Sequence, residues 1–184
     1  MQAEHIDAFL ASAFAVLTEE AQAQPDRGAP LLRSGGIRSA RELTALVTIE
    51  VDLTGVLFYS MSLATADKLR GSLSAPAHGS GGSAQDVLLQ TTQAIAAGGM
   101  ERLSSFGPQC RPGQGLVICG FGELLLMAVA LLVVPIFTRY GDMDIGIAVH
   151  DTASLPQGLQ LIATARAATS YEVCEPRSEE VSAA

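Results

Sequence analysis

The segment LVTIEVDLTGVLFYSMSL, residues 46–63, constrains the fold more than any other part of the sequence. Apolar and polar residues alternate through its first half, which is the period-two pattern of a half-buried β-strand. A mostly apolar second half follows Thr54-Gly55, a dipeptide suited to a tight turn. We therefore predict two antiparallel strands, over residues 46–53 and 56–63, that form a hairpin.

A second region that favours strands lies nearer the end of the sequence. Residues 115–119 and 124–138 are rich in Val, Ile and Leu, and residues 143–149 alternate apolar side chains onto one face. Tyr140-Gly141-Asp142 has the composition of a turn, which predicts a hairpin between the last two of these segments. Pro135 lacks a backbone donor and predicts an edge or a bulge at its position.

Two helices are predicted outside the strand regions. Residues 6–17 carry an apolar stripe at helical spacing, and residues 64–74 favour helix after an N-cap at Ser62. Between the first helix and the first hairpin, residues 22–36 are dense in Pro, Gly and Arg, which predicts an ordered connector or a short edge strand. Helices and hairpins together predict an α+β domain, with a mainly antiparallel sheet built from two hairpins and long helices packed against it.

A third predicted helix has two distinct faces. It begins at about residue 84, because Ser83 and Asp86 match a capping box, and it stops at Gly107-Pro108. The predicted buried face consists of Leu88, Thr92, Ile95, Gly99, Leu103 and Phe106. The predicted outer face consists of Asp86, Gln90, Gln93, Ala97, Glu101 and Ser104. The question is what purpose a stripe of one carboxylate and two amides serves.

Two adjacent glycines, Gly98 and Gly99, interrupt the middle of this helix. Each is disfavoured there by about 1 kcal/mol relative to alanine. We expect a neighbouring element to approach the helix backbone closely at this point.

The length and composition limit the domain count and the classes of partner. The 184 residues suit one compact core, so we predict a domain over residues 1–150 and a partly disordered C-terminal extension over residues 151–184. The net charge of −8, with Lys68 as the only lysine, argues against nucleic acid as a partner. The three cysteines and three histidines lack the spacing of metal ligands, so no metal is predicted.

Two apolar segments differ from membrane sequences in specific ways. Residues 8–17 follow the acidic stretch MQAEHID, where a secretory signal carries Lys or Arg. Residues 115–137 are interrupted by Gly120, Gly122 and Glu123, which leaves 14 uncharged residues. A spanning helix needs roughly 20. We expect a cytoplasmic protein without a membrane partner.

Five strings within residues 4–149 carry a resemblance to a known family. They are IDAFLASAFAVL, RGAPLL, VDLTGVLFYSMSLATADKL, ERLSSFG and VVPIFTRYGDMDIGIAV. In their order and content they resemble the CheC/CheX/FliY group of bacterial chemotaxis phosphatases, and CheX most closely, because CheX carries one phosphatase helix and CheC carries two. The resemblance implies a CheC/CheX-like sandwich. It also implies activity on the aspartyl phosphate of receiver domains such as CheY.

The family signature on the phosphatase helix is an Asp or Ser, three residues, a Glu, two residues and an Asn. In this sequence Asp86 keeps its place, whereas Gln90 stands at the Glu position and Gln93 at the Asn position. The family has a Pro about 22 residues past the amide; Gly115 stands there, and Pro112 is the nearest proline. The resemblance implies that the amide orients the water that attacks phosphorus, and that the Glu pairs with the receiver's active-site lysine.

The two replacements have different physical consequences. Gln93 offers the same donor and acceptor as Asn on a longer stem, and the unrelated phosphatase CheZ uses a glutamine in this role. Gln90 is neutral and cannot form the ion pair with the lysine. Loss of one member of a desolvated pair at an interface costs about 2–5 kcal/mol. The resemblance therefore implies weakened catalysis.

The altered signature leaves three functional interpretations. The first is a CheX-like signalling domain with weak or no catalysis that binds a receiver domain or another signalling protein. The second is an active phosphatase in which Gln93 positions the water and Asp86 or Glu101 holds the lysine. The third is a structural domain that self-associates through exposed sheet edges. For the first two, Gln90 and Gln93 are the candidate catalytic positions, with Asp86, Ala97 and Glu101 as candidate binding positions.

A simpler explanation exists for each of these residues. Asp86 fits the role of a helix cap, and the glutamines fit a solvated surface stripe. The resemblance implies a response-regulator receiver domain as partner and a homodimeric state. Any Mg²⁺ would be carried by the receiver, so we predict no cofactor in this chain.

Overall fold

The computed structural model describes residues 3–33, 37–38, 41–72, 83–120, 123–124 and 131–152. Within these ranges the helices are α1 (Ala3–Glu19), α2 (Leu63–Ser72) and α3 (Ala84–Ser104). The strands are β1 (Asp26–Arg27), β2 (Leu31–Arg33), β3 (Ile37–Arg38), β4 (Leu43–Val51), β5 (Leu53–Met61), β6 (Cys110–Cys119), β7 (Glu123–Leu124), β8 (Leu131–Thr138) and β9 (Gly141–Asp151).

Seven of the described strands form one antiparallel sheet. Its order is β8-β9-β5-β4-β6, and both β1 and β2 pair with the outer side of β8, so β6 forms the opposite edge. The remaining two, β3 and β7, form a separate antiparallel pair. The predicted α+β architecture with two hairpins, β4–β5 and β8–β9, is confirmed.

The predicted turn of the first hairpin at Thr54-Gly55 is wrong. The chain reverses two residues earlier, at Asp52, with Val51 at a φ of 100°. Asp52 is held from outside the hairpin, because the backbone N–H of Gln109 donates to its carboxylate at 2.8 Å and that of Thr152 donates to its carbonyl at 2.9 Å. These distant hydrogen bonds fix a corner that the local sequence does not indicate.

Gly55 instead lies inside β5, opposite Val149 of β9. A Cβ atom at this position would lie 2.9 Å from the Val149 Cα and would also overlap the Ala148 carbonyl oxygen. The glycine therefore permits close approach of two central strands.

All three described helices pack against one face of the sheet. The strand residues facing them alternate, as Val47 and Ile49 do in β4 and Ile145 and Ile147 do in β9, and they join the helices in one buried core. A smaller cluster on the opposite face consists of Leu46, Val56, Phe58, Leu131, Val133 and Ala148.

Pro135 lies in β8 opposite Asp144, at the point where the pairing of β8 changes from β2 to β1. Its missing donor therefore faces the short outer strands, beside Gly28, whose backbone N–H donates to the Pro135 carbonyl at 2.8 Å. The short edge strand predicted within residues 22–36 is confirmed by β1 and β2. The parts of these predictions that fall on residues 34–36, 73–74, 125–130 and 153–184 lie outside the described residues.

Candidate functional site

Helix α3 carries the candidate site and begins with the predicted capping box. The Ser83 hydroxyl accepts from the Asp86 backbone N–H at 3.2 Å, and the Ser83 backbone N–H donates to the Asp86 carboxylate at 2.9 Å. The Ser83 hydroxyl also donates to this carboxylate at 2.8 Å, and these bonds lower the pKa of Asp86. The carboxylate is thus engaged with the helix terminus.

The buried face of α3 matches the prediction except at its end. Five of the six predicted residues are buried, namely Leu88, Thr92, Ile95, Gly99 and Leu103. Phe106 is instead 64% exposed, so the prediction for it is wrong. The helix ends at Ser104, and the backbone N–H of Phe106 donates to the Leu103 carbonyl in a tighter turn. Helical periodicity therefore does not extend to this residue.

The outer ridge of α3 is defined here as Asp86, Gln90, Gln93, Ala97 and Glu101. Gln90 is partly buried, and the other four are exposed. With a rise of about 1.5 Å per residue, the two glutamines lie about 4.5 Å apart along the helix axis. Glu101 lies about 12 Å from Gln93 along the same axis. The structure thus brings the glutamines together and keeps Glu101 at a distance.

One flank of the ridge contacts the edge strand β6. A Cβ atom built on Gly115 would lie 3.1 Å from the Gln93 side-chain nitrogen and 2.8 Å from the Leu89 Cδ1 atom. The Gln93 amide therefore lies directly over the backbone of β6. In the sequence, Gly115 is notable only because the family has a proline at this position, and no local pattern connects it with Gln93.

The other flank is a groove between α3 and α1. The two helices run antiparallel, since Phe9 is nearest to Gly99 whereas the Ser12 hydroxyl donates to the Ile95 carbonyl at 2.9 Å. The groove has a volume of about 560 Å³. Its lining includes Ala15, Glu19, Ala94, Gly98, Glu101 and Arg102.

Gly98 and Gly99 have the predicted role of admitting a neighbouring helix. A Cβ atom on Gly99 would overlap the Phe9 ring, lying 2.7 Å from Cε1 and 3.0 Å from Cγ. A Cβ atom on Gly98 would lie 2.5 Å from the Ser12 hydroxyl oxygen. These contacts set the distance between α1 and α3, and with it the width of the groove beside the ridge.

The other reactive or metal-binding side chains in the described part of the chain do not converge on a site. No group of His, Cys, Asp and Glu residues there could hold a metal ion. Burial lowers the pKa of His5 and His150 and raises that of the Cys110 thiol. Among the helices that the structure describes, none is long and apolar enough to cross a membrane.

The fold is that of the CheC/CheX-like chemotaxis proteins, which confirms the resemblance at the level of structure. A CheC-like superfamily protein from Shewanella sp. PV-4 matches with a TM-score of 0.69 at 17% identity, over 82% of this chain and 99% of that chain. CheX from Vibrio vulnificus matches with a TM-score of 0.66 at 17% identity, over 80% of this chain and 100% of that chain.

A third similar structure contains a bound partner. It is CheX from Borrelia burgdorferi in a complex with CheY, BeF3 and Mg²⁺, which matches with a TM-score of 0.62 at 17% identity, over 82% of this chain and 100% of that chain. No protein-family model and no curated protein matches the sequence. At this level of identity the similar structures establish the fold alone. Evidence on function therefore comes from the outer ridge of α3.

Proposed function

We propose that this chain is a CheX-like signalling domain that binds the receiver domain of a response regulator through the outer ridge of α3, with little catalysis. The observation that carries the proposal is the placement of Gln90 and Gln93 within one helical turn on an accessible ridge. The Borrelia CheX complex with CheY supports a receiver domain as the class of partner.

The neutral side chain at position 90 supports weak catalysis. An acyl phosphate and its surrounding groups need electrostatic stabilisation as the water attacks. The Gln90 amide can accept one hydrogen bond from a lysine but provides no negative charge. Glu101 lies too far along the axis to act at the same phosphate as Gln93, and Asp86 is engaged in the cap.

Replacement of Gln93 by alanine tests the binding role of the ridge. We expect Gln93→Ala to weaken binding of a beryllofluoride-activated receiver domain from the same organism by about tenfold or more, since hydrogen bonds to charged groups contribute about 1.5–3 kcal/mol. Titration calorimetry in the presence of Mg²⁺ measures this change. Gln109→Ala is the matched control, because Gln109 is an exposed glutamine whose hydrogen bonds in the structure use its backbone.

The same receiver distinguishes the binding domain from an active phosphatase. The placement of the Gln93 amide against β6 favours a role in orienting water and is the basis of the alternative. If the chain acts by binding, we expect little acceleration of receiver dephosphorylation in a phosphate-release assay. Strong acceleration that Gln93→Ala abolishes would establish the phosphatase instead. If no activated receiver of the organism binds, both proposals fail.

Self-association is a third candidate, supported by the edge position of β6. Among the described strands it pairs with β4 alone, and Leu116 on it is 41% exposed. Unpaired strand edges are templates for pairing with a second copy. Light scattering at micromolar concentration is expected to give the mass of a homodimer; a monomer would contradict this candidate and leave the receiver proposal intact.

A further inference from the structure

The edge strand β6 is irregular next to the Gln93 contact. Its pairing with β4 is regular from Cys119 to Gly115 and resumes at Pro112, opposite Ile49. Gly113 and Gln114 therefore oppose the single residue Thr48, which is a β-bulge. Bulges bend a strand and redirect its side chains. The bulge lies directly beside the segment of β6 on which the Gln93 amide lies.

Two glycines of β6 face opposite sides of the sheet at this point. A Cβ atom on Gly113 would overlap the Thr48 hydroxyl oxygen, on the face away from α3. A Cβ atom on Gly115 would instead meet the Leu89 and Gln93 side chains of α3. The chain thus offers two glycine positions on one strand, of which only Gly115 faces the outer ridge.

We propose that Gly115 is a positioning residue that holds the Gln93 amide in its working orientation and fits this site to glutamine. Its consequence for the partner rests on the function proposed above. Gln93 is exposed, so its long side chain has several rotamers available in solvent. Contact with the β6 backbone restricts the Gln93 rotamers and fixes the direction of the amide before a partner binds, as in other preorganised sites.

Steric space explains why glycine is needed. An alanine at 115 would place its methyl group 2.8 Å from the Leu89 Cδ1 atom and 3.1 Å from the Gln93 nitrogen. The branched end of Leu89 can rotate away, whereas the Gln93 amide has to move off the β6 backbone by a few tenths of an ångström or change rotamer. Asparagine at 93 is one methylene shorter, so its amide falls short of β6. Glycine at 115 and glutamine at 93 are thus matched in size.

The contact can be tested on the protein alone. In the wild-type protein, nuclear Overhauser effects are expected between the Gln93 side-chain amide protons and the Gly115 α protons. Gly115→Ala should shift the Gln93 amide signals and weaken their nuclear Overhauser effects with the α proton of residue 115. The control Gly113→Ala makes the same change on the same strand but faces Thr48, and it should leave the Gln93 signals in place even if it destabilises the fold. Unchanged Gln93 signals in Gly115→Ala would overturn the proposal.

A double-mutant cycle tests the consequence for binding. Gly115→Ala should weaken binding of the beryllofluoride-activated receiver by about fivefold or more in the wild-type background and should have no further effect in a Gln93→Ala background. Equal weakening in both backgrounds would show that Gly115 acts on the fold and not through Gln93. If no receiver binds, the proposed function fails, while the spectroscopic result still decides whether Gly115 positions Gln93.

Discussion

Gln90→Glu is expected to raise both the affinity for an activated receiver domain and the rate of its dephosphorylation by at least about tenfold. The substitution places a carboxylate one turn before Gln93, at the position where the resemblance implies a partner for the receiver's lysine. Loss of one member of a close charge pair at an interface costs about 2–5 kcal/mol, because the other charge is left buried and unpaired. The new carboxylate lies four residues from Asp86, and this repulsion costs only a few tenths of a kcal/mol.

Ala97→Glu is the matched control for this experiment. It adds the same charge to the same ridge, and it too lies four residues from an existing carboxylate, Glu101. Any long-range electrostatic effect of the added charge on the partner would act in either variant. Titration calorimetry and phosphate release measured on both variants separate the two effects. A gain for Ala97→Glu equal to that for Gln90→Glu would refute a specific role for position 90.

Gly99→Ala is expected to give the largest loss of stability among the substitutions considered. Its methyl group would overlap the ring of Phe9, which is fully buried beneath α3. Overpacking of this kind costs typically 1–3 kcal/mol, and because the ring is fully buried we expect the upper part of this range, which exceeds the gain of about 1 kcal/mol from replacing glycine within a helix. Urea unfolding followed by circular dichroism measures the difference.

Gly71→Ala provides the reference for that measurement. Beyond its own helix and chain neighbours, no atom of the described residues lies within 4 Å of a Cβ at this position in α2, so the helix preference dominates and stability should rise by up to about 1 kcal/mol. The two substitutions are chemically identical and differ in their surroundings. Equal effects of both would mean that α1 and α3 can separate without loss and that the glycine contact does not set their distance.

The elements of the fold could be predicted from the sequence because their signals are local. Alternation in residues 46–53 and 143–149 reports which strand face is buried, and the Ser83 capping box marks the start of α3. The same local reasoning placed the hairpin turn wrongly. Asp52 forms the corner because Gln109 and Thr152 bind it, and these residues lie far away in the sequence.

The candidate site was predictable only in part for the same reason. The helical period places Gln90 and Gln93 on one stripe without any tertiary information. The contact between the Gln93 amide and Gly115 could not be predicted in this way. It arises because β6 is the edge strand beneath that stripe, and this position depends on the order of the whole sheet. Phe106 illustrates the opposite error, since a periodic pattern was extended beyond the last helical residue.

The corner at Asp52 also determines where the described chain leaves the sheet. Thr152 is tied there twice, because its hydroxyl donates to the Val51 carbonyl at 2.8 Å in addition to its backbone bond to Asp52. The neighbouring bond from Gln109 ties this corner to the segment that follows α3, and the last residue of α3 lies about 16 Å along the helix axis from Gln93. A fluorescent label attached at Thr152 would therefore sit beyond the C-terminal end of α3, away from the glutamine pair.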